Sequence, residues 1–169
     1  MGEDPEMATT VGEFIKRDHD DFRLMFERLM ESTVDEKALR GDVYPFLKER
    51  IHAHHVAEEA TIFPQMEKND ALRPATLVLI EEHRGMDMLA RDLAGTSTDS
   101  RLWRPRVFPF YDVISRHWER EETDVFLHAP LHLSPETLDE AAGTFEQVLE
   151  QQWTNNGLHG GMPPAMRRR

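Results

Sequence analysis

The 169-residue chain contains no cysteine. That absence removes disulfides, thiolate metal sites, iron–sulfur clusters and cysteine nucleophiles together, so any metal must be held by nitrogen and oxygen. Long apolar runs are missing too. No stretch approaches the roughly 18 residues that span a bilayer, and the opening MGEDPEMATT is acidic, without the apolar segment of a secretory leader. The expected location is cytoplasmic, with no membrane partner and with Met7 as an alternative start. Basic charge is scarce: 20 Lys and Arg stand against 32 Asp and Glu, for a net charge of −12. The acidic residues are spread along the chain and would repel a phosphate backbone, so nucleic acid is not an expected partner. The only basic cluster, Arg167, Arg168 and Arg169, reads as solvated tail.

Strand-type alternation is a further absence. Apolar residues recur at helical spacing instead, and the expected fold is all-α: an up-down-up-down four-helix bundle, an additional C-terminal helix packed outside or across one end, and a disordered C-terminal tail. The domain is expected over residues 10–153, with residues 154–169, rich in Gly and Pro, as a flexible tail. Thr10 and Glu13 form a capping box for a first helix that carries Ile15, Phe22, Phe26 and Leu29 to about Glu31. A second helix is expected from near Asp42, with Pro45 in its first turn, to Phe63, where Pro64 stops it. A third runs from near Pro74 to Gly95, and a fourth from the stretch Arg106 to Pro109 to just before Pro130. A fifth, capped by Ser134, carries Leu138, Phe145 and Leu149 to about Trp153.

The chain repeats itself. An offset of 63 aligns Leu47 with Phe110, Ile51 with Ile114, His54 with His117, Glu58 with Glu121 and Ile62 with Val125; an offset of 64 aligns Ile15 with Leu79, His19 with His83 and Phe22 with Met86. Two copies of a helix pair each donate one His and one His-x-x-x-Glu. Within HAHHVAEEATIFP the helical period selects the inward pair. Leu47, Ile51, His54, Glu58 and Ile62 share one face, whereas His55 and Glu59 lie about 100° round and His52 points nearly opposite. Four imidazoles and two carboxylates thus converge inside an apolar bundle, where each unmet ion costs several kcal/mol. His19, His54, Glu58, His83, His117 and Glu121 are therefore the expected metal ligands. Two histidines on each of two ions with both glutamates bridging would leave open positions, in keeping with iron or manganese; zinc is the alternative for a purely structural site. His52, His55, His128, His132 and His159 are expected on the surface or in loops, Glu59 and Glu122 on a solvated face, and Tyr44, Tyr111, Trp103 and Trp118 in the core or at its rim.

The segments RDHDDFR around His19, HHVAEEATIFP around His54 and Glu58, EEHRGMD around His83 and HWEREETDVF around His117 and Glu121 resemble the hemerythrin-like, or HHE cation-binding, family over residues 11–128. The resemblance implies a four-helix bundle around two iron ions that react with a small oxidant such as dioxygen, peroxide or nitric oxide. Two departures from the oxygen-carrying hemerythrins stand out. Their third helix offers a second histidine where this chain has Asp87, and their fourth ends in an aspartate five residues after the histidine, where Glu121 here comes four after His117. One imidazole fewer implies redox turnover at a di-iron oxidoreductase, or sensing, rather than reversible oxygen carriage. Asp87 is a further ligand, a partner that orients His83, or, as is usual for an acidic residue in mid-helix, simply solvated. A non-catalytic module that binds or senses dioxygen, nitric oxide or iron is the alternative.

Overall fold

The computed structural model describes residues 10–158 and 163–166. Among the described residues every regular element is helical. Helix α1, Val11–Glu31, opens on the expected capping box: Thr10 Oγ1 accepts from the Glu13 N–H at 3.3 Å, and the Glu13 carboxylate accepts from the Thr10 N–H at 2.7 Å. Ile15, Phe22, Phe26 and Leu29 are fully buried along its inner stripe.

Helix α2, Lys37–Ala60, begins earlier than the expected Asp42. A 3-10 turn, Val34–Glu36, launches it, with the Glu36 carboxylate accepting from the Thr33 N–H at 2.9 Å. Pro45 consequently lies in the helix interior and not in its first turn. Nor does α2 reach Phe63. The Pro64 ring excludes the carbonyl four residues before it from helical bonding, the chain kinks at Thr61 (φ −123°, ψ −78°), and the helix resumes as α3, Ile62–Glu67. Pro64 thus produces a kink one turn upstream of itself and sits in the first turn of the next helix.

Helix α4, Arg73–Ala94, closes on Gly95 as expected. Helix α5, Trp103–Arg120, starts before Arg106 and passes through Pro109. It continues through a π-helical segment, Glu121–Val125, into the short α6, Phe126–His128, and a 3-10 turn at Ala129–Leu131. Helix α7, Pro135–Asn155, is capped by Ser134, whose Oγ accepts from the Thr137 N–H at 3.2 Å.

Helix α1 packs on α2 and α5, and α4 on α5 and α2. Helix α7, expected outside or across one end, has the most extensive contact of any helix pair, with α2. It drives Phe145 and Leu149 into the interior, and the Phe145 ring meets that of His54 edge-on, with centroids 5.6 Å apart. Five long helices therefore share the interior. Part of the segment expected as a tail is also structured: α7 extends through Asn155, and a 3-10 turn at Pro164–Met166 returns to pack on α2. Met7, His159 and Arg167 to Arg169 lie outside the described residues. No helix among the described residues is long and apolar enough to cross a membrane.

The interior is divided in two. One apolar cluster gathers Phe22, Ile51, Met86 and Ile114; the other gathers Ile15, Ile62, Leu79 and Val125. On each of four helices the residues between the clusters are polar: His19 on α1, His54 and Glu58 on α2, His83 on α4, and His117 with Glu121 at the end of α5. They form a belt between two hydrophobic layers.

Candidate metal centre

The six side chains of the belt are each no more than 3% exposed. His19 Nε2 lies 3.1 Å from His54 Nε2, and His83 Nε2 lies 3.1 Å from His117 Nε2. Two nitrogens bound side by side at right angles to one ion, with bonds of about 2.1 Å, are about 3.0 Å apart. Each glutamate spans the two histidine pairs. Glu58 turns Oε1 to His54 Nε2 and Oε2 to His83 Nε2, both at 3.4 Å. Glu121 turns Oε2 to His19 Nε2 at 3.4 Å and Oε1 to His117 Nε2 at 3.2 Å. The result is two overlapping four-residue groups, His19–His54–Glu58–Glu121 and Glu58–His83–His117–Glu121, within each of which the ligand atoms lie within 4.8 Å of one another. Glu121 is also the first residue of the π-helical segment, a local rewinding that often accompanies functional residues.

A ring of carboxylates orients the imidazoles from outside. Nδ1 of His54 bonds Asp18 at 3.1 Å, that of His19 bonds Glu122 at 2.8 Å, that of His83 bonds Glu59 at 2.7 Å, and that of His117 bonds Glu82 at 2.9 Å. Each carboxylate accepts from an Nδ1–H, so that once Nε2 is deprotonated its lone pair faces the interior, the tautomer a metal needs. Arginines hold three of the four carboxylates in turn: Arg50 bonds Asp18 at 3.3 Å, Arg23 bonds Glu122 at 2.8 Å, and Arg120 pairs with Glu82. Glu59 and Glu122, expected on a solvated face, thus have a specific task, although the Glu59 side chain remains 43% exposed. The signal was present in the repeat: Asp18 maps onto Glu82 at the offset of 64, and Glu59 onto Glu122 at 63.

Asp87 does not join the belt as ligand or as orienting group. At its level α2 presents Ile51 and His52, and the Asp87 side chain turns outward, 3.8 Å from His52 Nδ1 across a cleft of about 240 Å³. His52 is half exposed, and His128 and His132 are exposed, as expected. His55 departs from expectation. It is buried beside the belt and stacked on His83, with centroids 3.8 Å apart and planes at 11°. Helix α2 is covered by α1, α4 and α7, so a position 100° round from His54 is also interior. Trp103 and Trp118 are core residues, and the Tyr44 hydroxyl donates to the Ala90 carbonyl at 2.6 Å.

Burial alone would lower the His54 and His117 imidazoles, but facing carboxylates outweigh it. Glu58 and Asp18 raise His54 to about 10, and Glu121 and Glu82 raise His117 to about 9. Burial likewise pushes Glu58 up, and His54 and His83 reverse it, holding Glu58 well below the usual carboxylate range. His19 stays lowered because burial exceeds the pull of Glu122. Without metal, therefore, the belt stores protons on groups that must shed them to ligate. Metal uptake at neutral pH is expected to release about two protons per chain, one each from His54 and His117, and affinity should weaken as pH falls. Titration calorimetry in buffers of different ionisation enthalpy measures this number, and uptake without proton release would contradict it.

The residues fit metal cations. All four oxygens of Glu58 and Glu121 are buried without a hydrogen-bond partner, a costly condition for anions that coordinated cations relieve. Residues 10–129 match the family model described as hemerythrin HHE cation binding domain. Among curated proteins, one described as a DNA nickase, from Nostoc sp. (strain PCC 7120 / SAG 25.82 / UTEX 2576), is 25% identical over 138 residues, which are 80% of this chain and 38% of that protein. The chain thus spans well under half the length of that relative. No solved structure matches it. With the match covering all six belt residues and their orienting carboxylates, the chain belongs to the hemerythrin HHE cation-binding domain family.

Proposed function

We propose that this protein is a non-haem di-iron protein that reacts with a small oxidant, peroxide or dioxygen, at a site held by His19, His54, Glu58, His83, His117 and Glu121. The observation that carries the reading is the bridging posture of Glu58 and Glu121, each with one buried, unbonded oxygen toward each histidine pair. The scaffold is the up-down-up-down set of α1, α2, α4 and α5 with α7 added. In its support, successive helices run between the two apolar clusters in alternating order, from Ile15 to Phe22, Ile51 to Ile62, Leu79 to Met86 and Ile114 to Val125. An all nitrogen and oxygen donor set with two carboxylates suits iron, with manganese next and zinc as the redox-inert competitor.

Iron held by His19, His54, Glu58, His83, His117 and Glu121 would supply the electrons for reaction with an oxidant. The chain's own groups do the rest. Asp18, Glu59, Glu82 and Glu122 keep the four imidazoles aimed inward, and the two hydrophobic layers exclude bulk water. The outer cleft has Ile51, Met86 and Phe110 among its lining and ends one to two turns short of the belt, which favours an oxidant of very few atoms. A net charge of −12 opposes a DNA backbone, which argues against the activity that names the Nostoc relative.

Stopped-flow mixing of ferrous-loaded protein with hydrogen peroxide or dioxygen tests the reading. Oxidation of the iron with consumption of many peroxide equivalents per chain is the expected result for turnover. A reversible spectral change without consumption would instead establish a binding or sensing module, and loaded iron that responds to none of peroxide, dioxygen and nitric oxide would overturn both.

A further inference from the structure

The two halves of the belt differ at one internal seat. The offset of 63 that pairs His54 with His117 also pairs His55 with Trp118. The two occupy equivalent places: Trp118 stacks on His19, with centroids 5.2 Å apart and planes at 23°, and His55 stacks on His83 at 3.8 Å and 11°. Their chemistry differs. An indole has only a donor N–H in its ring plane, whereas an imidazole carries a lone pair that can bind a cation. Both are buried, and neither ring nitrogen of His55 has a hydrogen-bond partner. A His55 nitrogen lies within 4.8 Å of nitrogens of both His83 and His117. A ring held only for stacking would be better filled by Phe or Trp, as the other half does with Trp118. Asp87, on the surface cleft, is in no position to serve the same pair.

We propose that His55 is a third imidazole donor to the ion held by His83 and His117, so that the two ions of this protein are inequivalent: three imidazoles on that side, two on the His19–His54 side. To reach the ion, the His55 ring turns its edge out of the stack on His83. The inference rests on the two-ion reading of the belt and adds a seventh ligand from this chain.

Metal-free protein titrated with cobalt(II), followed by visible absorption and calorimetry, separates the two claims. Wild type is expected to take up two ions with distinct affinities. His55→Phe keeps the stacking ring but removes the donor, and is expected to weaken one of the two by at least about tenfold while sparing the other. His52→Phe, on the exposed face of the same helix, should titrate like wild type. If His55→Phe and wild type titrate identically, the inference fails; if wild type takes up no cobalt, the two-ion reading fails instead. A second measurement needs no variant. In protein labelled with 15N-histidine and loaded with 113Cd, five imidazole nitrogens should couple to cadmium, His55 among them, and four would overturn the assignment even if His55→Phe does not fold.

Discussion

Stripping the natively loaded protein of its metals with a chelator is expected to lower its thermal midpoint by about 10 to 20 °C. The unliganded belt explains the size of the effect. Six polar groups, all essentially without solvent contact, sit between two hydrophobic layers, and four carboxylate oxygens among them have no hydrogen-bond partner. Cations that bind these groups bind only the folded chain, so their binding free energy is folding free energy. An ion present at a hundred times its Kd stabilises by about 2.7 kcal/mol, two such ions by about 5, and each kcal/mol moves the midpoint of a chain of this length by about 2 to 4 °C. Differential scanning calorimetry before chelation, after it, and after adding iron back measures the shift. A midpoint indifferent to chelation would mean that the belt folds without needing cations.

Replacing either bridging glutamate is expected to do more damage than replacing any histidine. Glu121 faces His19 with one oxygen and His117 with the other, and Glu58 faces His54 and His83 in the same way. On the two-ion reading, Glu58→Ala or Glu121→Ala therefore removes a donor from both ions and leaves the facing imidazoles without their counter-charge. Both variants should purify with almost no metal and with lowered midpoints. His54→Ala takes one donor from one ion only, and should keep about one ion on the His83–His117 side. Metal analysis by plasma mass spectrometry on the three variants distinguishes the patterns. Equal, partial losses in all three would mean that the glutamates serve one ion each.

Much of this was legible in the chain itself. The helical period and the two offsets identify the six belt residues, because burial on a helix face follows from spacing alone when one stripe is apolar. They fail where a residue's environment depends on how many neighbours its helix has. His55 lies off the apolar stripe of α2, and it is buried because α1, α4 and α7 cover that helix on several sides. The prolines misled for a similar reason. Pro45 and Pro109 are tolerated within helices that packing on both sides holds together, and the effect of Pro64 falls upstream of it, at Thr61. The orienting carboxylates are a different case. Asp18, Glu59, Glu82 and Glu122 each sit beside a belt residue and repeat at the same offsets, yet an acidic residue in the sequence reads as solvated until the histidine beside it is located in space. Asp87 failed in the opposite sense: it is one turn from His83 on the correct helix, and its side chain is drawn to the surface opposite His52.

Anomalous diffraction at the iron absorption edge, from crystals of protein purified with its native metal, tests the central claim most directly. The account predicts two peaks inside the helices, one touching His19 and His54, the other His83 and His117, and both in contact with Glu58 and Glu121. One peak, no peak, or ions bound away from these six side chains would contradict it.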